Sequence, residues 1–267
     1  MSPGEAKTLE DPLAEALRVI SLAADRGLVV RLMGGLAFHA QAPTWTRRVA
    51  RDGRDIDLAT RADDRKALSD LLVAQGYTAD RQYNALYGHK QLYFVDEARR
   101  RPVDVLVDRL EMCHAFTFRD RLVVTTPTLP LAELLLTKLQ IVKINHKDLL
   151  DALILLAEHP LDQSADNRGD VAAINVARIT GLTSADWGWW RTATGNLERL
   201  RAYIAADLTP EELDTGAPLR FEPSAQLRAL SDAIEAAPKS TRWRLRARVG
   251  ERVAWYDEPE EVGHGRG

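Results

Sequence analysis

Three aspartates in two apolar, strand-like runs have the spacing that chemistry would need. Asp55 and Asp57 alternate with Ile56 and Leu58, and Asp104 stands within Pro102-Val103-Asp104-Val105-Leu106-Val107. In a strand, residues i and i+2 point to the same face, so Asp55 and Asp57 project together. Asp104 projects from its own strand in the same way. Carboxylates from two neighbouring strands suit one or two magnesium ions held against the phosphates of a nucleoside triphosphate. The plainer alternatives are the polar face of an exposed edge strand for Asp55 and Asp57, and a solvent-facing strand residue for Asp104. Asp108 shares the face of Asp104 at the strand end. Gly34-Gly35 follows a short β-type run and precedes a helical one. Glycine lets backbone approach a ligand closely, and a helix N-terminus favours phosphate; a simple tight turn is the other reading.

A second group lies further on. Lys138 sits in the otherwise apolar helical run Leu134-Leu135-Leu136-Thr137-Lys138-Leu139. It either snorkels or reaches a phosphate as a point charge. Asn145 is placed to cap a following helix, on which Asp148 and Asp151 lie one turn apart. A capped, charged helix start is the plain alternative. The histidines show no zinc-ligand spacing, and no Ser-His-Asp or Cys-His arrangement is legible. Trp187, Trp189 and Trp190 read as helical core rather than a base-stacking platform.

The elements that must position these residues fall into two halves. Helical spacing runs over Leu9–Arg26, Asp63–Gln75, Leu129–Val142 and Lys147–Ala157. Strands are expected at Leu28–Met33, Arg54–Thr60, Tyr83–Tyr87, Gln91–Val95, Pro102–Val107 and Leu122–Thr125. Pro43–Gly53 reads as a loop, and Arg99-Arg100-Arg101 as a solvated hairpin tip. Helices are expected over Ala165–Arg178, Ala185–Ala206 and Ser224–Ala237. Arg242, Arg244, Arg246 and Arg248 alternate with Trp243, Leu245, Ala247 and Val249, which is strand periodicity. A second strand, Arg252–Tyr256, would complete a terminal β-hairpin. The arginines would line one face, either tracking RNA phosphates or forming a solvated face. The expected division is 1–125 for the mixed α/β core, 126–257 for a mostly helical domain and 258–267 for a disordered tail.

Bulk properties bound the reading. The chain has 267 residues and a net charge of −3, so it is not a globally basic nucleic-acid binder. Residues 1–150 carry +2 and residues 151–267 carry −5, so any polyanion needs a local basic patch. No run is apolar enough for a membrane span, and no secretory signal is visible. The single cysteine, Cys113, excludes an intrachain disulfide. A cytoplasmic location with no membrane partner is the expectation.

Gly34-Gly35, Arg54-Asp55-Ile56-Asp57-Leu58 and Val103-Asp104-Val105 together resemble the nucleotidyltransferase superfamily related to DNA polymerase β. Leu136-Thr137-Lys138-Leu139-Gln140 with Asn145-His146-Lys147-Asp148-Leu149-Leu150-Asp151 is similar to the AbiEii family, the toxins of abortive-infection toxin–antitoxin systems. The resemblance covers about residues 28 to 157. It implies an α+β fold: a mixed β-sheet with flanking helices, followed by a mostly helical C-terminal domain. It implies transfer of a nucleoside monophosphate to an acceptor, such as the 3′ end of tRNA, and a cognate antitoxin as partner. Asp55, Asp57 and Asp104 would hold magnesium, and Asp104 would help deprotonate the acceptor. Gly34 and Gly35 would contact the nucleotide, Lys138 would hold triphosphate oxygens, and Asp148 or Asp151 would be the last-motif acid. The loop from Gly35 to Asp55 is longer than the family pattern. A small-molecule or protein acceptor, or a non-catalytic nucleotide-binding protein, are the rival readings.

Overall fold

The computed structural model describes residues 7–43, 55–168, 171–206 and 220–258. Two compact units emerge, Met1–Arg109 with Thr117–Leu134, and Leu110–Phe116 with Leu135–Gly267.

The first unit opens with α1 (Pro12–Ala24), capped by Asp11, whose side chain accepts from the Ala14 N–H. Ala16, Val19, Ile20 and Ala23 recur at helical spacing and are buried. Then come β1 (Val30–Met33), α2 (Gly34–Gln41), β2 (Ile56–Thr60), α3 (Arg65–Ala74) and β3 (Thr78–Ala79). α4 (Arg81–Tyr87), β4 (Gln91–Asp96) and β5 (Arg101–Val107) complete the main part. The five strands form one sheet in the order β1-β2-β5-β4-β3. β2 and β5 run parallel, and the other neighbours are antiparallel. Leu32, Leu58, Val105, Ile56, Val103 and Phe94 fill one face and are buried, as are Leu68, Leu71 and Leu72 of α3. On β4 and β5 buried and half-buried residues alternate strictly, so Gln91, Tyr93 and Asp104 share the more open face. The outer edge of β1 is covered by a rung at Leu32, whose N–H donates to Pro127 O and whose carbonyl accepts from Leu129 N–H.

Three expectations fail in this unit. Tyr83–Tyr87 belongs to helix α4, not a strand: Asp80 accepts from the Tyr83 N–H and caps it. Leu122–Thr125 is a turn after the short 3-10 helix Arg119–Arg121. Arg101 is not at a solvated tip but is 1% exposed. The pleat of β5 turns it inward, where it pairs with Asp96 at 2.7 Å and donates to the Leu9 and Glu10 carbonyls. Of the expected loop Pro43–Gly53, all but Pro43 lies outside the described residues, as does Arg54.

β6 (Arg109–Glu111) and β7 (Ala115–Thr117) form a small ribbon, and α5 (Leu131–Leu139) carries the chain into the second unit. There α6 (His146–Glu158) is capped by Asn145, as its sequence suggests, and is apolar on most sides. The short strands β8 (Leu161–Asp162), β9 (Asn167–Arg168), β10 (Val171–Ala172) and β11 (Ile174–Asn175) precede α7 (Val176–Ala185). They replace the helix expected over Ala165–Arg178. Asp162 takes the N–H groups of Ser164 and Ala165 into a turn, and Asn175 caps α7 ten residues later than the expected helix start. α8 (Trp187–Ala206) and α9 (Pro223–Ala236) pack with α6 and α7. Buried Asn196 of α8 donates to the Leu139 and Ile141 carbonyls at 2.9 and 2.8 Å, satisfying the end of α5.

The terminal hairpin is overturned. Thr241–Val249 is a helix, α10, capped by Ser240 and stopped by Gly250 at φ +61°. Arginine, leucine and alanine all favour helix, and a cap outweighs an alternating pattern on a polar segment. At about 100° per residue, Arg242 and Arg246 fall on one side, and Arg244 and Arg248 on the opposite one. No single arginine stripe exists. Gly250–Arg252 is a 3-10 turn, and Val253–Tyr256 forms no strand. The tail beyond Glu258 lies outside the described residues.

Candidate active site

The parallel pairing of β2 with β5 sets Asp57 directly beside Asp104. Neighbouring strands are about 4.8 Å apart, so two carboxylates separated by many residues of sequence share one point of the sheet. On the other side of Asp104, the β4 register places Tyr93 opposite it. Asp55 stands exposed just before β2. Its charge reaches the same place: the Tyr93 hydroxyl is pushed above the usual tyrosine range first by burial, then by Asp104 and Asp55, and further by Asp80 and Glu97.

Gly34 explains the glycine turn. Its φ is +62°, a left-handed conformation, and a Cβ there would lie 1.8 Å from Asp57 Oδ2 and 2.6 Å from Cγ. The Asp57 carboxylate fills the space that a side chain would occupy. Gly34 therefore acts on the carboxylate, and Gly35 stands in the first turn of α2.

Among the described residues, no three His, Cys, Asp or Glu side chains close on one another as a ready metal cage. The close unit is the pair Asp57 and Asp104. Magnesium is ordinarily bound by one or two carboxylates plus waters and substrate phosphates, so the pair, cradled by Gly34, has the chemistry to hold it with a triphosphate.

Asp104 also receives a donor that the sequence reading missed. Gln91 Nε2 lies 2.5 Å from Asp104 Oδ1, and the Tyr83 hydroxyl lies 3.1 Å from Gln91 Oε1. A signal was present. A tight turn that pairs Asp96 with Arg101 fixes Tyr93 opposite Asp104 and brings Gln91 to the same face.

In the second unit, Lys138 is held by two carboxylates, Asp148 at 2.7 Å and Asp151 at 3.0 Å. Burial opposes its charge, but Asp151 and Asp148 outweigh that and hold its pKa above the usual lysine value. Lys138 therefore does not snorkel. Asp151 is 1% exposed, while Asp148 is half-buried and its N–H is capped by Asn145.

Of the four arginines, Arg246 has a structural task. Its guanidinium lies 4.9 Å above the Trp187 ring and donates to the Gly250, Val253 and Ala254 carbonyls. With Trp187, Trp189, Trp255 and Tyr256 it lines a cavity of about 730 Å³ within the second unit. Trp187 and Trp189 are buried, as expected of core, whereas Trp190 is half-buried and donates its ring N–H to Glu235 at 2.9 Å.

Residues 15–97 match the family model for aminoglycoside-2''-adenylyltransferase. The matched segment spans α1 to β4 with Gly34, Asp55 and Asp57, and stops before Asp104. This makes the first unit a nucleotidyltransferase domain, an enzyme class that works on nucleoside triphosphates. Comparison with curated proteins gives no match. Among solved structures, a STING-associated CdnE c-di-GMP synthase from Capnocytophaga granulosa is 14% identical, over 89% of this chain and 81% of that chain, with a TM-score of 0.29. No helix among the described residues is long and apolar enough to cross a membrane.

Proposed function

We propose that this chain transfers a nucleoside monophosphate from a triphosphate to a hydroxyl of a small cationic acceptor. The observation that carries the acceptor class is the set of carboxylates around Tyr93: Asp104, Asp55, Asp80 and Glu97 all bear on its hydroxyl. Tyr87 and Tyr93, packed against the buried Tyr83 ring at 5.0 and 6.2 Å, add an aromatic wall beside them. An acidic, aromatic surface attracts an organic cation and repels a polyanion. The matched family is named for adenylyl transfer to an aminoglycoside, which agrees with that chemistry.

In this reading Asp57 and Asp104, with Asp55, would hold magnesium, which would supply charge neutralisation on the triphosphate. Asp104 accepts the proton of the acceptor hydroxyl. The hydroxyl oxygen forms a bond to the α-phosphorus, the bond from that phosphorus to the bridging oxygen breaks, and pyrophosphate leaves with the electron pair. Positioning and charge neutralisation suffice for such a transfer. The tRNA-directed toxin reading loses its proposed basic strand, since α10 divides the arginines between two sides. Its antitoxin partner rests on the resemblance alone, and so does the role of Lys138 toward triphosphate.

The test incubates the protein with magnesium, each labelled triphosphate and three acceptor panels: polycationic amino sugars, neutral sugars, and total RNA. Label transfer to the amino sugars, lost in Asp57→Asn and Asp104→Asn, is the expected result. Transfer to RNA alone would overturn the acceptor class, and no transfer to any panel would favour a non-catalytic nucleotide binder.

A further inference from the structure

We propose that the cavity of the second unit is a second ligand site and takes a nucleoside monophosphate, with the base among the indole rings and the phosphate at Arg242. Every residue that lines it belongs to the second unit, so it shares no wall with the carboxylate pair. It does not depend on the acceptor class proposed above.

The cavity is built before any ligand arrives. Its volume, about 730 Å³, falls among small-molecule sites, roughly 300–1,000 Å³. One wall comes from the stretch that follows α10. Arg246 donates to the Gly250, Val253 and Ala254 carbonyls of that stretch. The Trp255 ring N–H donates to Thr192 Oγ1 at 3.0 Å, and the Asp257 N–H donates to the Cys113 carbonyl at 3.1 Å. Gly188 seats it closely: a Cβ there would lie 2.4 Å from the Trp255 carbonyl oxygen. Thr192 Oγ1 also lies 2.8 Å from Nε2 of His114, another lining residue. Burial lowers the His114 pKa to about 4 against the pull of Asp186 and Asp257, so this part of the wall is neutral near pH 7. Walls fixed in advance cost little ordering on binding.

The groups left over define the ligand. Trp255 meets Trp187 edge-on, with centroids 6.2 Å apart at 78°, so the two indoles do not stack on each other. Arg246 lies 4.9 Å from the Trp187 centroid and Arg191 lies 6.0 Å from that of Trp255. The indoles thus already carry cations, and Arg242 and Arg246 both line the cavity, so a further organic cation is repelled. A planar ring is not, since bases stack on aromatic rings and on guanidinium planes. Among the described residues, the Trp187 ring N–H, the Tyr256 hydroxyl and the Asp257 carboxylate make no hydrogen bond. They offer a donor, a group of either kind and an acceptor, which matches the mixed edge of a nucleobase and not a hydrocarbon. Arg242 stands at the mouth. Its side chain is 84% exposed and 3.6 Å from Asp186, beyond hydrogen-bond reach, and Asp186 is itself engaged with the Trp189 N–H. A guanidinium so placed suits a phosphate. Leu245 and Val249, exposed and one turn apart beside Arg242 and Arg246, give the sugar an apolar rest.

The experiment titrates the intact chain, in EDTA, with AMP, CMP, GMP and UMP, their nucleosides, inorganic phosphate and choline. Calorimetry and tryptophan fluorescence are read together. The expected result is one monophosphate bound per chain with quenched indole emission, and no binding of choline or phosphate alone. Trp255→Leu should weaken every nucleotide about 10-fold or more. Arg242→Ser, at an exposed position that spares the fold, should remove a roughly 3- to 10-fold advantage of monophosphate over nucleoside and leave nucleoside affinity unchanged. Asp57→Asn should leave all of these affinities as they are. Binding lost in Asp57→Asn but kept in Trp255→Leu and Arg242→Ser would place the nucleotide in the first unit and overturn the inference. Absence of nucleotide binding at millimolar concentration would do the same. Choline bound more tightly than the nucleotides, or phosphate bound as tightly, would overturn the ligand class.

Discussion

Gly34→Ala isolates what the glycine turn does for the carboxylate pair. The added carbon would sit 1.8 Å from Asp57 Oδ2, whereas real contacts of this kind are essentially never under 3.0 Å. The Asp57 carboxylate, or the turn, must therefore retreat by about 1.2 Å at the least. A misplacement near 1 Å at a reacting centre costs on the order of 100-fold, equivalent to about 2.7 kcal/mol of transition-state stabilisation. The left-handed backbone adds roughly 1–2 kcal/mol of folding cost for a residue with a Cβ. Gly27→Ala separates the two costs. Gly27 has φ +73° and nothing within 4 Å of a built Cβ, so it carries the backbone strain alone. Initial rates of pyrophosphate release and urea midpoints are measured for both variants. The expectation is a comparable stability loss in each, with the rate loss confined to Gly34→Ala. Gly34→Ala with activity within threefold of wild type would refute the close-approach argument, and so would a matching rate loss in Gly27→Ala.

Three further outcomes are expected. Lys138→Met leaves the buried Asp151 without its cation and should cost about 3–5 kcal/mol in urea unfolding; adding Asp151→Leu should restore much of it, and an unchanged midpoint in the single variant would contradict the ion-pair geometry. Burial lowers the His114 pKa to about 4, outweighing the opposite pull of Asp186 and Asp257, against an unfolded value of about 6.5. Its contribution is therefore fully present above pH of about 6.5 and is lost as pH falls toward 4, by roughly 2–3 kcal/mol; His114→Gln should flatten that part of the stability–pH curve, and parallel curves would refute the assignment. Arg246→Ala should destabilise the chain by about 2 kcal/mol through its lost carbonyl donations, while Arg244→Ala, at an exposed helix position, should be nearly neutral; equal effects would restore a strand with one arginine face.

The carboxylate strands were legible because their pattern is local and their flanking residues agree. Ile56 and Leu58 turn inward, and so Asp57 turns outward. The Asn145 cap was legible for the same reason, whereas the pairing of Lys138 with Asp148 and Asp151 was not. What the sequence hid was decided by single polar side chains. Asp80 turns a tyrosine-rich segment of strand-like composition into a helix by capping it, and Ser240 does the same for the arginine segment. Asp162 and Asn175 break an otherwise plausible helix by binding nearby N–H groups. Arg101 reads as solvated until Asp96 is placed beside it. The Gln91 contact depends on a hairpin register, and a glutamine has no spacing signature of its own.

The parallel junction between β2 and β5 also orders events in time. β4 and β5 are joined by a short turn and can pair early, since little chain must be closed to bring them together. The β2–β5 pairing must wait for α3, β3, α4 and β4 to be laid down between its strands, and such non-local closure is slow. Asp57 and Asp104 meet only at that step. Cation affinity at the pair should therefore appear with that non-local closure, so a luminescent lanthanide bound there would record a stage of refolding later than the β4–β5 hairpin.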